Sequence, residues 1–159
     1  MATGAIRVMG TDAVLIKLNE EMKKIKFKTK SGLIRAGLFV QGEAQRRTPR
    51  DLGNLINSAF TVWDGGSKSN PRFKNGVNRS PVSSRMTSEH TRTIKEEGAQ
   101  VKYRANPMVE VGYSAFYAVY VHEDLEAKHT VGVAKFLQTA IHANFLKILK
   151  YIKEEIGYR

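Results

Sequence analysis

Leu137, Ile141, Phe145, Ile148, Ile152 and Ile156 follow one another at steps of four, four, three, four and four residues, the spacing of a single helical face. A helix from about Val133 to Ile156 would be roughly 35 Å long at 1.5 Å per residue. Burying its six large side chains would contribute on the order of 9 to 18 kcal/mol of gross transfer energy. A chain that ends this way is expected to use its terminal helix as a wall of the core.

The remaining elements are read from their own periodicities. Thr11 or Asp12 can cap a first helix in which Val14, Leu15, Leu18, Met22 and Ile25 form a face expected to be buried, with Lys17, Lys23, Lys24 and Lys26 on the other side. After a basic break at Lys28-Thr29-Lys30, Ser31 can cap a second helix with the stripe Leu33, Gly37, Val40 and Ala44. Gly37 would let another backbone come close, and Pro49 ends the helix near Arg47. Asn57 to Asp64 reads as a strand. Residues 65–98 are rich in Ser, Asn, Gly, Arg and Lys, with little apolar material to offset the entropy of ordering, and read as a long basic arm or loop. Val101–Arg104 and Met108–Val111 then form a hairpin, and Phe116–Val121 adds another strand. The expected fold is α+β. An antiparallel sheet of about four strands packs against the long C-terminal helix, with two N-terminal helices, and the arm at 65–98 is inserted in one domain spanning 1–159.

With 159 residues and 42% hydrophobic content the chain can build one core. The absence of cysteine excludes disulfides, thiolate zinc sites and cysteine nucleophiles. No apolar run reaches the roughly 20 residues of a membrane span. Met1–Gly10 lacks the basic start and apolar stretch of a signal peptide. The expectation is a soluble protein made in the cytoplasm, with no membrane partner. A formal net charge of +11 and a pI near 10.0 imply attraction to polyanions.

His122-Glu123-Asp124, with Glu126 and His129 nearby, is the most chemical-looking stretch. Neighbouring residues on a strand point to opposite faces, so His122 and Glu123 could share a metal only if the chain turned there. A solvated or interface loop is the simpler reading. His90, His122, His129 and His142 sit in unrelated contexts, and neither a serine elbow nor a glycine-rich phosphate cradle is present. No catalytic residue, metal or cofactor is expected. In the arm, Lys68, Arg72, Lys74, Arg79, Arg85, Arg92 and Lys95 oppose Glu89, Glu96 and Glu97, a net of +4. Such a segment can neutralise phosphates of double-stranded DNA without reading sequence, or can simply be a loop kept soluble by charge.

Two stretches resemble a known family. Thr48-Pro49-Arg50-Asp51-Leu52-Gly53-Asn54-Leu55 has the form Pro-x-Asp-x-Gly-x-Leu after an N-terminal helix. Tyr117-Ala118-Val119-Tyr120-Val121-His122-Glu123, followed by Lys135-Phe136-Leu137-Gln138-Thr139-Ala140, has the form of a Tyr-Ala-x-Tyr-Val-His/Glu segment leading to an aromatic-Leu-x-x-Ala helix start. In order and separation these resemble the tail-completion and head-tail joining proteins of tailed bacteriophages. Asp124-Leu125-Glu126-Ala127 departs from the Gly-Thr usual in that family, and Leu52 stands where its turn has Thr.

The resemblance implies a non-enzymatic virion protein that forms a ring, such as a hexamer, between the connector or neck and the tail tube or terminator proteins. The genome would pass through the ring in transient, non-specific contact with it, and the protein would occupy the host cytoplasm during assembly. Pro49, Asp51, Gly53 and Leu55 would then shape the turn. Tyr117, Tyr120, His122, Glu123 and Phe136 would face neighbouring subunits, and Lys68, Arg72, Lys74, Arg79 and Arg85 the DNA. The alternatives are a non-specific nucleic-acid-binding module and a metal-dependent nuclease using His122, Glu123 and Asp124.

Overall fold

The computed structural model of the chain describes residues 11–72 and 84–157. Its elements run α1 (Thr11–Arg47), α2 (Asn54–Asn57), β1 (Ala59–Trp63), β2 (Gly66–Ser69), α3 (Ser84–Lys102), β3 (Val109–Tyr113), α4 (Ala118–Glu123), α5 (Phe136–Ala143) and α6 (Phe145–Ile156). The fold is α+β, with a three-stranded antiparallel sheet in the order β2-β1-β3 and a long N-terminal helix.

β1 is the hub because both of its faces are covered. Ala59 and Thr61 look towards α1, where the Gln41 side chain donates to the Ala59 carbonyl at 3.2 Å and accepts from the Thr61 hydroxyl at 2.8 Å. Phe60 and Val62 look the other way and pack with Ile94 and Val101 of α3 and with Met108. Ladder pairing sets Phe60 opposite Ser69 and Gly112. Gly37 of α1 admits β3, since a Cβ there would lie 2.7 Å from Val109 Cγ1. What comes close is the side chains of Val109, Thr61 and Val111, not the backbone expected there. Two buried hydroxyls are bonded, as a low-dielectric interior favours: Thr48 to the Ala44 carbonyl at 2.8 Å, and Ser58 to the Leu55 carbonyl at 2.7 Å.

The structure corrects the expected elements at four places. The two N-terminal helices are one helix of 37 residues. Lys28 to Ser31 contains no proline, a single glycine costs only about 1 kcal/mol in a helix, and the Thr29 hydroxyl bonds back to the Ile25 carbonyl at 2.8 Å. Gly32 marks where α6 crosses, for a Cβ there would lie 3.0 Å from Ile152 Cα. The helix nevertheless ends at Arg47, as Pro49 requires.

The sheet has three strands, not four. Val101 closes the helical series His90, Ile94, Val101 on the buried side of α3, so 101–104 pairs with nothing as a strand. Phe116–Val121 is also not a strand. The ladder ends where the Ser114 amide bonds the Ser58 carbonyl at 3.0 Å, and α4 begins at Ala118. Tyr117, Ala118 and Val121 turn inward together, a helical spacing and not an alternating one.

The segment 65–98, expected as an arm, contains β2 and most of α3. It is polar because α3 offers only a narrow buried stripe and carries the ion pairs Arg85–Glu89 and Arg92–Glu96 at i,i+4 spacing.

The terminal helix is two helices meeting at Asn144. Asn144 leaves helical geometry at φ −121° and bonds its side chain to the Ala140 carbonyl at 2.9 Å. Entry is delayed to Phe136 because Lys135 is left-handed at φ 53°. α5 and α6 lie chiefly along α1, with Phe136 of α5 meeting Tyr113 at the end of β3. The expected stripe is therefore only partly covered: Ile148, Ile152 and Ile156 are half-buried, while Ile141 and Phe145 remain exposed.

Candidate functional site

The turn after α1 and the segment carrying α4 meet at one end of the molecule. Thr48 and Pro49 are buried, Gly53 takes φ 82°, and α2 starts at once, with the Asn57 amide bonded to the Gly53 carbonyl at 3.0 Å. That left-handed backbone is what makes glycine suitable there. Leu55 then enters a core cluster with Ala115, Ala118 and Phe136. Pro49, Asp51, Gly53 and Leu55 line a groove of about 490 Å³ with Tyr117 and His129. Two motifs distant in sequence thus share one groove. Burial, and then the Asp51 charge, push the Tyr117 phenol above its ordinary pKa.

Phe136 is not an interface residue. It is 1% exposed, with Tyr113 edge-on at 5.0 Å and His122 edge-on at 4.8 Å. The Tyr113 hydroxyl meets the Thr48 hydroxyl at 2.8 Å, and burial pushes this phenol up to about 12. Raising the pH from about 10 to about 12 ionises tyrosine in the unfolded chain before the folded one, so stability contributed by Tyr113 is present below pH 10 and lost across that window. A displacement from about 10 to about 12 corresponds to about 2–3 kcal/mol. Tyr113→Phe is expected to flatten this alkaline loss, as read by denaturation midpoints at increasing pH.

His122 and Glu123 close α4. The His122 ring meets Phe136 edge-on, and its Nδ1 lies 2.7 Å from Glu123 Oε1. Lys135 donates to the other Glu123 oxygen, and these two partners, lysine first, hold the Glu123 carboxyl below its usual range. The role of Glu123 is to tie α4 to the approach of α5, reinforced by the Lys135 amide on the His122 carbonyl at 2.7 Å. Among the described residues no group of three or more His, Asp or Glu side chains is placed to hold a metal ion.

Comparison with protein-family models, with curated proteins and with solved structures gave no match.

Uncovered apolar surfaces lie elsewhere on these elements. Phe116, just before α4, and Val119 and Tyr120 on α4 are 80%, 59% and 72% exposed. At the far end of α1, Leu15, Leu18, Met22 and Ile25 are each at least 50% exposed. This corrects the expectation that their face is buried. The same stripe runs on as Leu33, Ala36, Val40 and Ala44, and there it is covered. α6 ends near Lys28, the side chain closest to Gly157. The 17 residues of α1 before Lys28 extend about 25 Å past it. Sequence periodicity found the stripe but had no means of showing that its partner stops short.

Of the residues expected to face DNA, Lys68 and Arg72 are exposed on and just after β2, and Arg85 is exposed but paired with Glu89 at 2.9 Å. Lys74 and Arg79 lie outside the described residues. Among the described residues no helix is long and apolar enough to cross a membrane.

Proposed function

We propose that this chain is a structural subunit that assembles with copies of itself into a ring at the head-tail junction of a tailed bacteriophage. In this reading it joins connector to tail and lets double-stranded DNA pass. The observation that carries the proposal is the pair of uncovered apolar faces, one on α4 and one on the projecting part of α1, at opposite ends of a single helix. Monomeric soluble proteins rarely leave contiguous apolar faces bare without a partner for them. Two different faces at opposite ends suit a head-to-tail contact, which closes into a ring when the rotation permits.

The resemblance of the turn and of the Tyr117–Glu123 segment supplies the virion setting. The shared groove supports treating those motifs as one unit. A net charge of +11 suits a conduit that holds the genome weakly and without sequence preference.

Size-exclusion chromatography with light scattering, followed by electron microscopy, is expected to give closed rings whose population rises with concentration. A particle that stays a monomer at every concentration, yet binds duplex DNA in a salt-sensitive manner, would favour the second reading of a nucleic-acid-binding module. Exposed Lys68 and Arg72 are the observation on which that reading stands.

A further inference from the structure

Granted the ring reading, the remaining question is which surface meets which. We propose that the projecting part of α1 in one copy lies on the outward face of α4 in the next, Leu18 and Met22 against Val119 and Tyr120. Three features select a second copy in this arrangement.

The first is continuity. The stripe that α1 buries inside its own domain continues outward without change of spacing, so the uncovered part is the same kind of helix-packing surface lacking its cover.

Charge is the second. Residues 15–28 carry Lys17, Lys23, Lys24, Lys26 and Lys28 against Glu20 and Glu21, a net of +3. Residues 116–127 carry Glu123, Asp124 and Glu126 with no lysine or arginine, a net of −3 in a chain whose total is +11. Glu123 is bound to Lys135, and Asp124 Oδ1 accepts from the Glu126 and Ala127 amides at 3.0 and 3.1 Å, so this negative charge is held at the end of α4. Pairing α1 with α1 would instead bring two basic helices together, which is repulsive.

Placement is the third. α4 sits beside the Arg47 end of α1, tied there through Val133 on the Arg47 carbonyl at 2.9 Å and Lys135 on the His122 carbonyl at 2.7 Å. A helix of 37 residues is about 55 Å long, so the two faces are too far apart to meet within one chain and have to meet between chains.

The test uses two full-length variants, Leu18→Asp and Tyr120→Asp, each changing an exposed side chain. Each alone is expected to be monomeric under conditions where the unaltered chain assembles. Mixed in equal amounts they should form a one-to-one dimer and nothing larger, because one intact α1 face and one intact α4 face remain. Assembly of Tyr120→Asp alone would overturn the proposal, as would a mixture that stays monomeric.

The absence of native cysteine allows a second readout. The double variant Leu18→Cys/Val119→Cys should give a covalent ladder on mild oxidation, and neither single variant should be linked. A disulfide formed by Leu18→Cys alone would show α1 paired with α1 and overturn the proposal. If the unaltered chain forms rings but the double variant gives no ladder, this contact fails and the ring reading stands. An unaltered chain that never assembles removes both.

Discussion

Replacing Phe136 by alanine is expected to cost about 3–5 kcal/mol of folding stability. The residue is 1% exposed, enclosed by Leu55, Ala115 and Ala118, with the rings of Tyr113 and His122 edge-on to it at 5.0 and 4.8 Å. Its neighbours are held from several directions: Tyr113 by the sheet ladder and by Thr48, His122 by Glu123. They cannot collapse into the space, so the cavity term adds to the lost transfer energy. Because domains of this size are stable by only about 5–15 kcal/mol, the variant should lose a large share of its stability in urea titration. A shift below about 1 kcal/mol would mean that this cluster is not the keystone joining the turn, α4 and α5.

Gly132→Ala is expected to be as damaging, by a different mechanism. Gly132 has φ 91°, and a Cβ added there would lie 2.4 Å from the backbone nitrogen of Pro49, a contact that no side-chain rotation relieves. The left-handed conformation alone costs about 1–2 kcal/mol for a residue bearing a Cβ. Relief of the clash requires the 131–133 strap to lift away from the turn. That breaks the bonds from the Arg50 amide to the Val131 carbonyl at 3.3 Å and from the Val133 amide to the Arg47 carbonyl at 2.9 Å. The expected total is at least about 3 kcal/mol.

Gly65→Ala is the control, since Gly65 has φ 86° with nothing within 4 Å of an added Cβ. It should show the conformational cost alone, about 1–2 kcal/mol. Equal effects of the two substitutions in thermal or chemical denaturation would refute the clash argument.

How much of this architecture was legible from residues alone depends on whether the deciding interaction is local. Pro49 ends α1 through its own ring and missing amide hydrogen, so the boundary at Arg47 could be placed from sequence. β1 was legible because Phe60, Val62 and Trp63 are strand-formers followed by Gly65-Gly66. The stretch Phe116–Val121 was misread because a short run of aromatic and β-branched residues fits a strand as well as a buried helix turn. Only the packing of Tyr117, Ala118 and Val121 around Leu55 and Phe136 decides between them. α3 was missed for the opposite reason: its helical pattern is mostly charged, and its buried stripe of His90, Ile94 and Val101 gains meaning only when Phe60 and Val62 stand opposite.

The candidate site divides along the same line. The turn motif and the Tyr117–Glu123 segment could be singled out as strings, but nothing in either string places them in the walls of one groove. Phe136, grouped by motif with the interface residues, belongs to the core, because a helix entered through left-handed Lys135 points its first aromatic inward.

By itself the sequence determined the helical stripes, the proline stop, the central strand and the strongly basic balance, all of which depend on residue type and spacing within a few positions. Tertiary structure alone decided which stripes find cover. α6 is twelve residues long and reaches only to the neighbourhood of Lys28, so the face of Leu15, Leu18, Met22 and Ile25 stays bare although it has the same spacing as the buried face of Ala36, Val40 and Ala44. Whether an apolar side chain is core or contact surface is a property of what lies across from it.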